Sequence, residues 1–231
     1  MLASTTRNSA RTFMPRAIIA DDHPMFRAAL KQALVETLAS DIAEAASFAQ
    51  LQDLLQTHTQ VELVLLDLNM PGNRGLSGLT SLRSQYPDVL VVMVSANEQL
   101  SVIRQAMAFG ASAYIPKSVP LPEFQQAINA VLAGDSWIPE RLGDINQVTL
   151  DSASVDFAAR LEQLTPQQYK VLECLADGLL NKQIAHQLHV QETTIKQHVS
   201  AILRKLGVIN RTQAGVVFKQ MLATPDVDEL G

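Results

Sequence analysis

The 231-residue sequence predicts a doubly wound, five-stranded parallel α/β domain followed by a small, four-helix all-α domain. Three observations support this. Between residues 16 and 133, short apolar runs alternate with amphipathic segments of helical length. The third and fourth runs, Leu63-Val64-Leu65-Leu66 and Val91-Val92-Met93-Val94, are almost continuously apolar, as strands buried on both faces are. From Thr165 onward the pattern is helical throughout, with start and stop residues between its segments.

Strands are expected over 16–21, 42–46, 61–67, 89–95 and 112–116, and helices over 24–39, 48–58, 76–85, 98–109 and 120–133. Gly72 and Gly75 bracket a tight loop after Asp67, and Gly110 ends the fourth helix. The first domain therefore covers 16–134, preceded by a flexible tail over 1–15. Periodicity fades after Gly134, through Pro139 and Gly143, so 135–160 reads as a linker, with a short helix over 155–164 leading out of it.

The second domain covers 161–222. Thr165-Pro166 supplies a capping hydroxyl and a proline at the first helical position. Gly178 ends that helix, Asn181 caps the next, and the chain turns at His189-Val190. A long helix runs from Glu192 to Leu206, and a last one begins near Thr212. Residues 223–231 form a tail.

With 47% hydrophobic and 18% charged residues, the composition is that of a soluble globular protein. Apolar stretches such as Val89 to Val94 are too short to span a membrane. The single cysteine, Cys174, excludes an intrachain disulfide and fits the cytoplasm. The net charge of −5 is unevenly spread: residues 1–135 hold 9 basic and 12 acidic side chains, and residues 161–221 hold 7 and 4. An acidic front and a basic back point to different partners for the two domains.

The chemistry gathers at strand ends. Asp21-Asp22 follow Ala17-Ile18-Ile19-Ala20, Asp67 follows Leu63 to Leu66, and Lys117 follows Ala113-Tyr114-Ile115-Pro116. In a parallel sheet all these carboxyl ends open on one edge, where ligands bind. Three carboxylates gathered there repel one another unless a cation joins them, and all-oxygen ligation suits Mg²⁺. A lysine beside them neutralises a phosphoryl oxygen. The set points to phosphoryl transfer onto one of the aspartates.

Four fragments, in order and at matching strand ends, resemble the receiver domain of response regulators: Asp21-Asp22-His23-Pro24, Leu66-Asp67-Leu68-Asn69-Met70-Pro71-Gly72, Val94-Ser95-Ala96 and Tyr114-Ile115-Pro116-Lys117. The resemblance implies a flavodoxin-like fold with Asp67 as phosphoacceptor. It implies Mg²⁺ bound directly by Asp22 and Asp67, through water by Asp21, and by the Asn69 carbonyl. Lys117 would pair with the phosphoryl group and Ser95 donate a hydrogen bond to it. Tyr114 has two readings: a half-buried strand aromatic with a wet hydroxyl, or the family's aromatic that swings inward when the hydroxyl residue moves to the phosphate. Many receivers have proline after the lysine, with a cis bond; here proline precedes it.

The last 60 or so residues resemble the LuxR-type helix-turn-helix of the NarL/FixJ response regulators. The likeness lies in Leu164-Thr165-Pro166, in Gly178 to Ala185, in Thr194-Ile195-Lys196-Gln197-His198-Val199, in Leu203 to Val208 and in Asn210 to Ala214. The helix-turn-helix falls at about 181–206. Ile195, Val199, Ile202 and Leu206 recur at helical spacing as a buried stripe. Thr193, Lys196, Gln197, Ser200 and Arg204 share another face, that of a recognition helix for the major groove. On this reading Lys196 and Gln197 reach base edges, while Thr194, Arg204, Lys182 and Arg211 touch phosphates.

The sequence is thus identified as a two-component transcriptional regulator, not an enzyme beyond its own Mg²⁺-dependent phosphotransfer and slow dephosphorylation. Its expected partners are a sensor histidine kinase, double-stranded promoter DNA with paired half-sites bound as a homodimer, and RNA polymerase. The alternative is a DNA-binding regulator whose receiver is a dimerisation scaffold indifferent to phosphorylation.

Overall fold

The structure, a computed structural model, describes residues 16–38, 42–142 and 152–223. The expected tail over 1–15, all but Ala223 of the expected tail over 223–231, and Gly143 in the linker lie outside the described residues.

The first domain runs β1 (Ala17–Ala20), α1 (Pro24–Leu38), β2 (Ile42–Ala45), α2 (Phe48–Thr57) and β3 (Leu63–Asp67). A hairpin of β4 (Asn69–Met70) and β5 (Asn73–Arg74) follows, and then α3 (Ser77–Gln85), β6 (Leu90–Ser95), α4 (Leu100–Ala108), β7 (Ala113–Pro116) and α5 (Leu121–Leu132). A 3₁₀ turn (Glu140–Leu142) leads to α6 (Ser152–Glu162), α7 (Pro166–Ala176), α8 (Asn181–Gln187), α9 (Glu192–Leu206) and α10 (Arg211–Leu222).

The five main strands pair in parallel in the order β2-β1-β3-β6-β7. The chain leaves β1 for β2 on one side and returns to β3 on the other, so the strand order reverses between β1 and β3. That reversal opens the crevice in which ligands sit in such sheets, and Asp21 and Asp67 stand at its mouth. The two-residue period of the strands sorts the core into two layers. Ile18, Val64, Leu66, Val91 and Met93 face Leu51, Leu79 and Ile103, whereas Ile19, Leu65, Val92 and Ile115 face Leu34, Phe124 and Ile128. Burying each of these large side chains is worth about 1.5–3 kcal/mol, which is why the near-continuous apolar strands sit centrally.

The β4–β5 hairpin, not expected as a sheet, turns at Pro71-Gly72, with Gly72 at φ 85°. Proline followed by a left-handed glycine is the pair that such a turn requires. In the second domain the expected cap at Thr165 forms with Gln168 as a reciprocal capping box. Asn181 is not the cap of α8, as the sequence suggested; Leu180 holds that place, and its N–H is satisfied by Gln183 Oε1 at 2.7 Å. The Asn181 side chain instead accepts a bond from Arg211. The turn before α9 places His189 at φ 54°, a conformation that costs a non-glycine residue about 1–2 kcal/mol.

The helix expected over 155–164 begins at Ser152 and packs on α3 and α4 as well as on α9. Its apolar residues Phe157 and Leu161 join one core cluster that runs from the α3–α4 side of the sheet into the helical domain. Polar bonds cross the same boundary. Leu76 N–H, at the start of α3, donates to the last carbonyl of α10, Leu222 O, at 3.0 Å. These are the two kinds of backbone group that helix ends leave unpaired. Gln105 Nε2 donates to Met221 O, and Thr80 Oγ1 bonds the Tyr169 hydroxyl.

Candidate functional site

The carboxyl ends of β1, β3, β6 and β7 bring together Asp21, Asp22, Asp67, Ser95 and Lys117. Ligand atoms of Asp21, Asp22, His23 and Asp67 all lie within 4.8 Å of one another. Asp21 and Asp67 are almost fully buried, while His23 is exposed. Lys117 Nζ lies between the two buried carboxylates, 2.7 Å from Asp21 Oδ2 and 3.0 Å from Asp67 Oδ2. It also sits 4.8 Å over the Phe26 ring, an apolar wall that attracts cations. One lysine cannot neutralise three carboxylates. Burial, the largest cause, pushes the Asp67 carboxyl above its ordinary pKa; Lys117 pulls it down and the Asp21 charge adds to the rise.

Two oxygens of the group are under-used. Asp21 Oδ2 and Asp22 Oδ1 are buried without a hydrogen bond. Each has a nitrogen at ion-pair distance, from Lys117 and from His23 at 2.8 Å, but not in hydrogen-bonding geometry. Oxygens in this state are ready ligands for a hard cation. The acidic pocket therefore suits a metal ion.

Ser95 is buried, and its Oγ accepts from Asn97 N–H at 3.1 Å. Tyr114 is wholly buried, and its hydroxyl donates to Asn97 O at 2.7 Å. The reading of a half-buried ring with a wet hydroxyl is thus incorrect: β7 faces Tyr114 into the core layer under α4. Burial pushes its phenol up to about 12, so it is a neutral donor. No cis peptide occurs among the described residues, and Pro116 continues β7. Asn69 N–H lies 3.5 Å from Asp67 Oδ1.

Two residues of the neighbourhood were not foreseen. Asn73, read as part of a loop, is buried; it donates to Asp67 O and Leu68 O and accepts from Gly78 N–H and Ser77 Oγ. Glu173 in α7 hydrogen-bonds Ser81 of α3, and burial raises its carboxyl to about 7. A polar residue in a turn, or on a helix, carries no local sign that a distant element will cover it.

In the helical domain Ile195, Ile202 and Leu206 are buried and Val199 half-buried, as the stripe requires. Thr193, Lys196, Gln197, Ser200 and Arg204 are exposed, and Thr194 is half-buried. The docked first domain leaves this face open. Lys196 pairs with Glu192 at 3.1 Å on the surface, an i,i+4 contact worth about 0.3–0.5 kcal/mol and easily exchanged. Ser200 Oγ donates back to Lys196 O at 3.0 Å. Lys182 is exposed. Arg211 is committed within the domain, to Asn181 Oδ1 and Leu179 O, which fixes the start of α8.

A family model described as the response regulator receiver domain matches residues 17–129, and one for bacterial regulatory proteins of the luxR family matches 162–218. The glycerol metabolism activator of Pseudomonas putida is 41% identical over 220 residues, 93% of this chain and 97% of that protein. The nitrate/nitrite response regulator protein NarL of Escherichia coli K12 is 32% identical over 202 residues, covering 86% and 92%. Among solved structures, the response regulator RcsB of Salmonella typhimurium matches with a TM-score of 0.54 at 20% identity, over 90% of this chain and 99% of that one. The RcsB–DNA complex matches at 0.51, with 21% identity over 89% and 98%. These two likenesses show the fold.

Proposed function

The chain belongs to the two-component response regulators, with a receiver domain and a LuxR-type DNA-binding domain that regulates transcription, and on that premise we propose that Asp67 is its phosphoacceptor. The observation that carries this is the burial of Asp67 at the point where strand order reverses, 3.0 Å from Lys117 Nζ and with a carboxylate oxygen within 4.8 Å of ligand atoms of Asp21 and Asp22. An Asp67 carboxylate oxygen attacks the phosphorus of a phosphohistidine on a sensor histidine kinase. The P–N bond breaks, its electron pair stays with the imidazole, and an acyl phosphate forms.

Asp22 and Asp67 would ligate Mg²⁺ directly, Asp21 through water, and Asn69 through its backbone carbonyl; the Asp21 and Asp22 oxygens that have ion-pair partners but no hydrogen bond fit that role. When bound, the ion supplies charge compensation for the entering and leaving oxygens. Lys117 pairs with a phosphoryl oxygen, and the Ser95 hydroxyl donates to another once it turns from Asn97. Tyr114, already inside, follows the space that Ser95 vacates. Hydrolysis of the acyl phosphate by water resets the site.

Phosphorylation then alters the contact between receiver and helical domain and favours a homodimer on paired half-sites of promoter DNA, where RNA polymerase is a further partner. Lys196 and Gln197 read bases; Thr194, Arg204 and Lys182 hold the backbone, and Thr193 and Ser200 complete the face. Arg211 contributes by fixing α8. No helix among the described residues is long and apolar enough to cross a membrane, and the cytoplasm is the compartment we assign.

Incubation with Mg²⁺ and acetyl phosphate should label wild-type protein but not Asp67→Ala, and chelation should abolish the label. Undiminished labelling of the variant overturns the assignment. A second reading, in which the receiver is only a dimerisation scaffold, has one observation in its favour: the recognition face of α9 is already exposed in the docked state. Equal operator affinity with and without full labelling of Asp67 would select it.

A further inference from the structure

We propose that Asn73 is a positioning residue that couples Asp67 to the DNA-binding domain. The inference rests on the reading of Asp67 as phosphoacceptor and adds to it the route by which the event leaves the site.

The geometry is a short chain of bonds. Asn73 Nδ2 donates to Asp67 O at 2.9 Å and to Leu68 O at 3.1 Å. Its Oδ1 accepts from Gly78 N–H at 2.7 Å and from Ser77 Oγ at 3.2 Å. One planar amide, with both donors and both acceptor positions in use, thus clamps the backbone of the acceptor strand to the first turn of α3. It is only 3% exposed, so water offers these groups no substitute. The approach is close: a Cβ on Gly78 would meet Asn73 Oδ1 at 2.6 Å.

The first turn of α3 is also where the second domain is held. Leu76 N–H bonds Leu222 O at 3.0 Å, and the next turn carries the Thr80–Tyr169 and Ser81–Glu173 contacts. An acyl phosphate adds charge beside three carboxylates, so the backbone around Asp67 must adjust. A rigid amide that holds two of its carbonyls passes that displacement to α3, and packed elements respond by shifting between discrete arrangements rather than by deforming. The Asn73 side chain itself needs no contact with the phosphoryl group.

The test uses the full chain as wild type, Asn73→Ala and Asn73→Asp. The aspartate keeps acceptors for Gly78 N–H and Ser77 Oγ but sets an acceptor oxygen against Asp67 O and Leu68 O, so it breaks the link on the side of the acceptor strand, whereas the alanine removes both sides. Each protein is treated with Mg²⁺ and acetyl phosphate. Label is measured by intact mass, and amide hydrogen exchange is followed in peptides of α7 and α10. Wild type should be labelled and exchange at least tenfold faster at the interface when labelled. Each variant, compared with its own unlabelled form at the wild-type extent of labelling, should change less than twofold. Labelled variants that accelerate like wild type overturn the proposal. So does an aspartate variant as fast without label as labelled wild type, which would make Asn73 a clamp only, and so does a labelled wild type whose interface does not respond. A wild type that takes no label removes the Asp67 reading itself.

Discussion

The hydroxyl of Tyr169 in α7 shares a hydrogen bond with Thr80 Oγ1 in α3, across 89 positions of chain and across the boundary between the two domains. Burial raises the Tyr169 phenol well above its ordinary range, so it stays a neutral hydroxyl. Its ring meets Phe218 edge-to-face at 5.6 Å, which ties the polar contact to the core of the helical domain.

Tyr169→Phe is therefore expected to loosen docking without unfolding either domain. Thr80 Oγ1 keeps nearby acceptors in Leu76 O and Ser77 O, so it is not orphaned. The cost should stay near the ordinary net value of a hydrogen bond, about 0.5–1.5 kcal/mol. Faster amide exchange at the interface with an unchanged core is the expected result; a loss above about 3 kcal/mol in urea unfolding would mean that the bond supports the fold itself.

Docking should also depend on pH through Glu173. Burial, the largest cause, raises its carboxyl from 4.5 to about 7, against the bond from Ser81 and the charge of Lys170, while Asp177 adds to the rise. The docked form then holds more protons than the parted form between these values, so docking is strongest below about 4.5 and weakens until about pH 7, above which the dependence ends. Energy transfer between probes on the two domains should fall across that window, and Glu173→Gln should flatten the fall. A Gln variant with the wild-type profile would assign the dependence to other groups.

Lys117→Ala leaves Asp21 and Asp67 facing each other without a cation. Removing one partner of a buried pair costs about 3–5 kcal/mol. Here we expect about 2–4 kcal/mol, because the Lys117 side chain is 18% exposed and Asp67 can take up a proton. Urea unfolding measures the loss, and added Mg²⁺ should restore more stability to the variant than to wild type. A metal-independent difference would place the ion elsewhere.

On DNA, Lys196→Ala and Gln197→Ala should relax sequence preference, since base contacts carry about 1–3 kcal/mol of discrimination each. Lys182→Ala should weaken all duplexes alike and lower the salt slope by roughly one unit. Uniform weakening by Lys196→Ala would make Lys196 a phosphate contact.

Most of the architecture was legible in the chain. Five apolar runs, each followed by a helical period, allow little besides a parallel sheet, and a parallel sheet sends Asp21, Asp67, Ser95 and Lys117 to one edge. The cap at Thr165 and the stripe Ile195-Val199-Ile202-Leu206 marked the helices of the second domain in the same way. Local readings failed where a side chain had two possible partners. Asn181 looked like a cap, yet Arg211 claims its side chain and leaves capping to Gln183.

The sequence by itself determined two folds, an acidic site at strand ends and an exposed polar face on the long helix of the second domain, because each follows from periods of two or about 3.6 residues and from the chemistry of neighbouring residues. Tertiary structure alone decided that Tyr114 faces inward, that Lys117 serves two aspartates, that α6 packs against both domains, that Asn73 is buried against the start of α3, and that Tyr169 and Glu173 meet α3 across the domain boundary. Those outcomes depend on which surfaces meet across tens of residues. Burial then makes an ordinary amide, hydroxyl or carboxyl consequential, because water no longer competes for its bonds.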